Sequence, residues 1–470
     1  MNATPYMTTP TEYEVLVIGG GKAGKSLAID LGNRGIKTAL IEQSPAMIGG
    51  SCINVACIPT KTLIASARVA HSVRHAAEFG LWTGEVTVDW PEVRDRAERV
   101  VGAMREMNRN NLNAPPALDL IIGAGRFVGP KTVEVRDENG KVRFLKAERI
   151  FINTGTRPAK PSIPGAESMN VHDSETIQRV PKLPRHLVVV GGSYVGLEFA
   201  QMFRGFGSQV TVLQRGPQLL KREDEDVAKA LEDCLRNEGV DIRLNSSVEK
   251  LQQDPTGPAL QFSTQGKPER VSASHVLLAA GRAPNTENLN LVAAGVETDA
   301  RGYIKANERL ETSAPGIWAL GDVNGGPQFT HVSFDDYRIV KTNVFGGGSR
   351  STSDRLVPFT LFTDPELSRV GMTEKEARQK GLDIFVAKLP VASIPRAKTM
   401  SETRGLIKVV IDVKTDQILG CSILSIEAGE MLGTVQMAML GGLPFTALRD
   451  AVFSHPTLVE GFNNLPVNPN

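Results

Sequence analysis

The feature that most constrains this chain is a unit that occurs twice at one spacing. In the first copy the apolar run Val15-Leu16-Val17-Ile18 leads into Gly19-Gly20-Gly21-Lys22-Ala23-Gly24, after which Ala23, Leu27, Ala28 and Leu31 recur at helical intervals. Residues 37–41 form a second apolar run, and Glu42 ends it, 23 positions after Gly19. In the second copy Leu187-Val188-Val189-Val190 leads into Gly191-Gly192-Ser193-Tyr194-Val195-Gly196. A helical stretch through Glu198, Phe199 and Met202 follows, then Gln209-Val210-Thr211-Val212-Leu213 and Gln214, again 23 positions after Gly191. Apolar runs without alternation suit strands buried on both faces of a parallel sheet. A glycine turn between strand and helix makes the tight turn, lets backbone approach a pyrophosphate, and packs the helix closely on the strand. A carboxylate ending the second strand accepts the hydroxyls of an adenosine ribose. The expected fold class is α/β, with two Rossmann-like dinucleotide-binding domains. The first reads as an FAD site held by Gly19, Gly21, Gly24 and Glu42.

The second copy departs from the first in two ways. Ser193 stands at the second glycine position, so its side chain must fit beside a pyrophosphate or point away. Gln214 replaces the acid, with Arg215 next to it and Lys221 six residues further on. A carboxylate there favours NAD through the 2′-hydroxyl and repels a 2′-phosphate, whereas a neutral amide flanked by cations favours the phosphate. NADPH is therefore the expected reductant and NADH the less favoured one, with Gly191, Gly196, Arg215 and Lys221 in its site. Apart from Lys221, the run Lys221-Arg222-Glu223-Asp224-Glu225-Asp226 reads as a solvated helix start.

After the first copy comes Gly49-Gly50-Ser51-Cys52-Ile53-Asn54-Val55-Ala56-Cys57-Ile58-Pro59-Thr60-Lys61, with two cysteines five positions apart. On one helical turn they can close a small, exposed disulfide. Such a pair can be incidental, a metal-ligand pair or a redox couple. A loop this short makes it a modest staple, but beside an electron source a disulfide can open and close. Pro59 fits a first-turn or kink position in the helix. The other cysteines, Cys234 and Cys421, stand alone in apolar surroundings and read as core packing. Residues 63–109 carry helical periodicity, and His71 and His75 lie on it at i, i+4. Without a third ligand they read as a solvated face, and no metal site is expected. Residues 121–145 look like a small sheet with turns at Gly129-Pro130 and Glu138-Asn139-Gly140.

At 470 residues the chain suggests about three domains. A net charge of +1 gives no reason to expect nucleic acid or a membrane surface as partner. No apolar run approaches a membrane span, and residues 1–14 lack the apolar core of a signal peptide. The expected place is the cytoplasm, where structural disulfides are rare.

The stretch from Gly49 to Lys61 resembles the active-disulfide signature of the class I flavoprotein disulfide reductases, such as glutathione reductase, dihydrolipoamide dehydrogenase and mercuric reductase. The likeness extends over almost the whole chain. Phe151-Ile152-Asn153-Thr154-Gly155-Thr156 resembles the family's strand closure against the dinucleotide, and Val276-Leu277-Leu278-Ala279-Ala280-Gly281-Arg282-Ala283-Pro284-Asn285 its return from the nicotinamide domain. Ile317-Trp318-Ala319-Leu320-Gly321-Asp322-Val323 resembles its Gly-Asp motif, and Phe329-Thr330-His331-Val332 its helix start facing the flavin. Phe453-Ser454-His455-Pro456-Thr457-Leu458-Val459-Glu460 matches its catalytic His–Glu pair.

The resemblance implies domains at residues 1–158 (FAD, first part), 159–281 (NAD(P)H), 282–354 (completing the FAD site) and 355–470 (an α+β dimerisation domain). It places Gly50, Ser51, Lys61, Gly155, Thr156, Gly281, Asp322 and Thr330 at the cofactors. It makes Cys57 the sulfur next to flavin and Cys52 the sulfur that meets substrate. His455, oriented by Glu460, becomes the acid–base group supplied by the other subunit of a homodimer with a shared active site. Lys61 and Glu198 match the family's ion pair by the flavin. Tyr194 matches its gate over the nicotinamide, with simple helix packing as the other reading. His331 reads as a locally packed residue.

The implied activity passes electrons from NADPH through FAD and the Cys52–Cys57 disulfide to a small oxidised acceptor, a disulfide or a soft metal ion. Gln214 with Arg215 argues against dihydrolipoamide dehydrogenase, which prefers NAD and keeps the acid. The ending Leu465-Pro466-Val467-Asn468-Pro469-Asn470 lacks the second thiol pair of mercuric reductase and the terminal thiol of the larger thioredoxin reductases. Asp335-Asp336-Tyr337-Arg338-Ile339-Val340 and Ile394-Pro395-Arg396-Ala397 look like the bacterial reactive-chlorine-resistance flavoproteins, which implies oxidant-stress defence. The alternatives are a dihydrolipoamide dehydrogenase-like enzyme, a quinone-reducing diaphorase and a redox sensor without turnover.

Overall fold

The computed structural model describes residues 9–168, 171–255, 257–353 and 355–467. Part of the leader reading (residues 1–8) and the last three residues of the chain end lie outside these. The chain forms two compact units, one of residues 1–60, 95–159 and 281–355, the other of 61–94, 160–280 and 356–470. Among the described residues no helix is long and apolar enough to cross a membrane.

The first unit is built on a seven-stranded sheet. Its path runs Leu118–Ile122, Thr38–Glu42, Thr11–Ile18, Val142–Ile152, Thr132–Arg136 and Ala124–Gly129, and Ile317–Ala319 pairs in parallel with Val142–Ile152. Val15 to Ile18 face Thr38 to Ile41 on one side and Arg149 to Ile152 on the other, both in parallel register. With neighbours on both edges and layers on both faces, Val15, Leu16 and Val17 are fully buried, as an uninterrupted apolar run requires. Helix Lys22–Asn33 turns the predicted Ala23, Leu27, Ala28 and Leu31 inward.

Residues 121–145 are not a separate small sheet. Leu118–Ile122 extends the parallel sheet beside Thr38–Glu42, and the hairpin Ala124–Gly129/Thr132–Arg136 adds antiparallel strands to Val142–Ile152. That last strand is 11 residues long, enough to serve both kinds of neighbour. Helical periodicity over residues 63–109 also resolves into more than one element, helices Cys57–Arg74 and Trp90–Asn113. Gly80, in left-handed conformation, closes the turn Ala76–Phe79, and the β-branched Thr83, Val86, Thr87 and Val88 disfavour helix before Asp89 restarts it by accepting the Glu92 amide at 3.2 Å.

In the second unit a parallel sheet orders Asp241–Arg243, Gln209–Leu213, His186–Val190, His275–Leu278 and Val171–His172. A three-stranded antiparallel sheet, Ser246–Asp254, Gly257–Thr264 and Lys267–Ser272, is inserted between its strands; the sequence reading did not foresee it. The C-terminal part folds as an antiparallel sheet in the order Phe359–Leu361, Glu366–Gly371, Ile418–Ser425, Leu406–Asp412, Ile384–Pro390. Its core joins Ile407, Val409 and Ile423 to Val435 and Phe462. Cys421 lies in that core and Cys234 is buried on helix Glu225–Asn237.

Candidate active site

The first glycine turn is set by close approach. Gly19 has φ +101°, and a Cβ there would lie 2.4 Å from the Asn153 carbonyl oxygen. A Cβ on Gly24 would lie 2.2 Å from the Gly19 carbonyl oxygen, and one on Gly21 2.6 Å from Asn153 Oδ1. Only glycine fits such contacts. The Gly20 amide donates to Glu42 Oε2 at 2.8 Å and the Ser44 amide to Oε1 at 3.2 Å. Burial pushes the Glu42 carboxyl upward and these amides oppose it. Helix Lys22–Asn33 has no side-chain cap at Gly21, so its first turn is suited to an anion. Asn153, whose part the sequence did not disclose, accepts the Gly24 amide at 2.9 Å and donates to the Leu320 carbonyl at 2.6 Å, tying turn, sheet and the Gly-Asp motif together.

Around that motif, Thr156 donates its hydroxyl to Asp322 Oδ2 at 2.9 Å while Arg282 donates to Thr156 Oγ1 and its carbonyl at 2.7 and 2.9 Å. Burial raises the Asp322 carboxyl, with Arg282 opposing. Gly155 and Gly281 flank the short pairing of Thr156–Pro158 with Arg282–Pro284, both at positive φ. Thr156, Gly281 and Asp322 therefore gather in one place.

The dithiol is organised differently from the single helical turn expected. Gly50, at φ +84° and with no room for a Cβ, which would lie 2.8 Å from Gly21 Cα, precedes a short helix Ser51–Asn54 that holds Cys52. That helix stops at Val55, and Cys57 opens helix Cys57–Arg74. Asn54 stabilises the break: its amide donates to the Ile48 and Gly50 carbonyls, each at 2.9 Å, and its oxygen accepts Arg105 Nε at 2.7 Å. Pro59 falls in the first turn of the second helix, where its missing N–H costs nothing.

Both cysteines are half-buried thiols. Cys57 Sγ is 3.9 Å from the hydroxyl of Thr330, the first residue of helix Thr330–Phe345. The Cys52 thiol is held far above the ordinary range, first by its hydrogen bond with Cys57 and then by burial. Two thiols hydrogen-bonded to each other titrate as a pair. Lys25, buried on helix Lys22–Asn33 and hydrogen-bonded to Asn108 Oδ1, was not foreseen. Burial brings its ammonium down to about 8, Lys22 adding to this and Cys52 opposing it. The available sequence signal was a lysine directly after Gly24 on an inward-facing turn.

The second unit repeats the turn with a change of charge. The Gly191 amide donates to the Leu213 carbonyl at 2.9 Å as Gly19 does to Ile41 at 2.8 Å. The Gly192 amide donates to Gln214 Oε1 at 3.1 Å, the counterpart of Gly20 and Glu42. A Cβ on Gly196 would lie 2.0 Å from the Gly191 carbonyl oxygen. Ser193 is exposed and makes no cap. Arg215 and Lys221 are exposed and belong to no ion pair among the described residues.

Tyr194 begins helix Tyr194–Gly205 and donates to Glu223 Oε1 at 2.8 Å. The segment Lys221 to Asp226 is not simply a solvated helix start. The helix begins at Glu225, while Glu223 and Asp224 are buried as acceptors, Asp224 for the Glu374 and Lys375 amides and for Lys408.

In the same unit Lys61 Nζ donates to both Glu198 oxygens at 2.9 and 2.7 Å, and the Phe362 amide donates to Oε1 at 2.9 Å. His455 Nδ1 lies 2.8 Å from Glu460 Oε2. The imidazole is exposed and the carboxylate nearly buried, so the carboxylate fixes the ring with its second nitrogen outward. The His71 and His75 rings stack at 4.0 Å, and His331 stacks on Phe329 at 5.2 Å. Among the described residues no three His, Cys, Asp or Glu side chains group as metal ligands.

The family described as pyridine nucleotide-disulphide oxidoreductase matches residues 13–336, and its dimerisation domain matches 357–466. The probable pyridine nucleotide-disulfide oxidoreductase RclA of Escherichia coli (strain K12) is 43% identical over 97% of this chain and 98% of its own. A mercuric reductase of Staphylococcus aureus is 33% identical over 96% of this chain and 81% of its own, and a dihydrolipoyl dehydrogenase of Thermus scotoductus 35% over 96% and 95%. The solved Cu(II) complex of HOCl-induced flavoprotein disulfide reductase RclA from Escherichia coli superposes with a TM-score of 0.89 at 42% identity, covering 97% of this chain and 98% of that one. With both family regions matched and this identity sustained along nearly its whole length, the chain belongs to the pyridine nucleotide-disulphide oxidoreductase family, enzymes that bind FAD and take a pyridine nucleotide as substrate.

Proposed function

We propose that this chain is an NADPH-dependent reductase that uses FAD and the Cys52–Cys57 pair to reduce a small oxidised acceptor, a disulfide or a soft metal ion, in defence against oxidants. The carrying observation is the pair of half-buried, mutually hydrogen-bonded thiols with Cys57 at the start of helix Thr330–Phe345. The uncapped glycine turn, the Glu42 carboxylate and the Thr156–Asp322 cluster fit a bound dinucleotide. Gly19, Gly21, Gly24, Glu42, Gly50, Ser51, Gly155, Thr156, Gly281, Asp322 and Thr330 are the residues that hold FAD, with Lys61 and Glu198 as the ion pair beside it. When bound, FAD supplies the two-electron relay between nicotinamide and sulfur.

With a disulfide as acceptor, the imidazole that Glu460 orients takes the Cys52 proton, and the thiolate so formed attacks one acceptor sulfur while the other leaves and is protonated. Cys57 then attacks the mixed disulfide at Cys52, releasing the second thiol and re-forming the Cys52–Cys57 bond. The departing thiolates take protons from the imidazole that Glu460 orients. The dimerisation region supports a homodimer in which the partner subunit's His455 serves each dithiol. Gln214, Arg215 and Lys221 support NADPH over NADH. Likeness to an HOCl-induced protein solved with Cu(II), and to mercuric reductases, supports oxidant defence and a soft metal ion as acceptor.

Anaerobic titration of the holoenzyme with NADPH tests this. A long-wavelength thiolate–flavin absorbance is expected in the parent and in Cys52→Ser and absent in Cys57→Ser; a band that survives Cys57→Ser defeats the assignment. An acceptor series of glutathione disulfide, lipoamide, quinones, Cu(II) and Hg(II) is expected to include one whose turnover with NADPH needs Cys52. Full turnover of the best acceptor by Cys52→Ala would mean direct reduction by flavin instead.

A further inference from the structure

The acidic run after Lys221 contains a contact that the family likeness leaves unassigned. Tyr194 is half-buried, and its hydroxyl donates to Glu223 Oε1 at 2.8 Å. The Glu223 side chain is wholly buried, and its second oxygen accepts Arg369 Nε at 2.9 Å. Arg369 is itself fixed: Nη1 donates to the Gly371 carbonyl at 2.9 Å, and the guanidinium lies 4.9 Å from the centre of the Phe359 ring. That same ring meets the edge of Tyr194 at 5.3 Å. The Glu223 backbone is held at both ends, its amide donating to Leu220 at 2.8 Å and its carbonyl accepting Gln218 at 3.2 Å. A fixed, charge-neutralised carboxylate thus grips the phenol of Tyr194, the residue that begins the helix after the second glycine turn. Burial and the Glu223 charge push that phenol above its ordinary range, so it stays a donor at physiological pH.

We propose that Glu223, anchored by Arg369, is a positioning residue that latches the Tyr194 ring shut and thereby sets how readily a nicotinamide opens its pocket. The proposal rests on the reading of Tyr194 as the nicotinamide gate. If the ring must swing aside for each binding event, the hydrogen bond to Glu223 is broken each time. Glu223 remains paired with Arg369 when the phenol leaves, so opening does not strand a buried charge. A ligand that binds only the open state has its apparent affinity reduced by the open fraction. A hydrogen bond to a charged acceptor, once removed, shifts such a closed–open ratio by about tenfold or more.

The test is calorimetric titration of the oxidised holoenzyme with NADP⁺ and with NAD⁺, followed for whichever the parent binds more tightly. Tyr194→Phe keeps the ring and loses only the hydroxyl; its Kd is expected to fall about tenfold. Glu223→Gln is expected to move Kd the same way by a smaller factor, because the amide oxygen still accepts. The double variant is expected to bind no more tightly than Tyr194→Phe alone, since both changes remove one contact. Should Glu223→Gln fail to fold with Arg369 left unpaired, Tyr194→Phe decides alone. An unchanged Kd in Tyr194→Phe together with a several-fold change in Tyr194→Ala keeps the gate and overturns the latch. An unchanged Kd in both removes the gate reading and the latch with it. Additive effects of Tyr194→Phe and Glu223→Gln also overturn it.

Discussion

Replacing Lys61 by Met should cost far more stability than replacing its partner Glu198 by Gln. Glu198 accepts both Lys61 bonds and the Phe362 amide, and its side chain is only 7% exposed against 30% for Lys61. Lys61→Met leaves a buried carboxylate with one backbone donor. Breaking a buried pair from one side costs about 3–5 kcal/mol, and the partial exposure of Lys61 lowers this to about 2–3 kcal/mol. Glu198→Gln leaves an ammonium that can turn to water and an amide oxygen that can still accept Phe362, so it should cost about 1 kcal/mol. The double variant should be more stable than Lys61→Met alone by about 1 kcal/mol, because the stranded charge is gone. Urea unfolding of the four proteins by far-UV circular dichroism, compared as midpoints at a common slope, measures the cycle. Equal losses from the two single changes, or a double variant equal to their sum, would show that burial of the Glu198 charge does not set the cost.

Two further outcomes follow from the charges at the nucleotide turns. Lys25 has a folded-state value of about 8, below its ordinary 10.5. The unfolded chain therefore binds more protons between pH 8 and 10.5, and stability rises with pH across that window. Lys25→Met escapes this penalty, so its advantage over the parent should shrink by about 2 kcal/mol between pH 8 and 9.5; a difference in melting that stays constant with pH would contradict it. Gln214→Glu would recreate at the second turn the carboxylate that Glu42 presents at the first. Repulsion of a dianionic 2′-phosphate by about 2 kcal/mol should lower the NADPH-to-NADH ratio of kcat/KM about thirtyfold, and an unchanged ratio would count against Gln214, Arg215 and Lys221 as the specificity site.

Much of the frame was legible in the sequence because it depends on short-range rules. A strand buried on both faces needs an unbroken apolar run, and a turn whose backbone passes within contact distance of another carbonyl needs glycine, so Val15 to Ile18 and Gly19 to Gly24 announced themselves. The inserted sheet over residues 246–272 and the edge strand Ile384–Pro390 did not, since their half-exposed faces carry no strong period. The break between the two cysteines was equally hidden. It depends on Asn54 finding the Ile48 and Gly50 carbonyls and Arg105, a partner 51 residues away.

The sequence by itself determined two glycine turns at equal spacing, the acid after one and the amide after the other, and a nearby pair of cysteines. Local backbone geometry and residue size dictate all of these. Only the tertiary structure decided which polar side chains are buried and what they meet. Glu223, read in sequence as one more solvated acid, became the buried anchor of Tyr194 because Arg369 reaches it from a strand 146 residues away. Lys25 became a buried ammonium through Asn108, 83 residues on. Burial of a charge is settled by partners distant in the chain, and no local pattern records them.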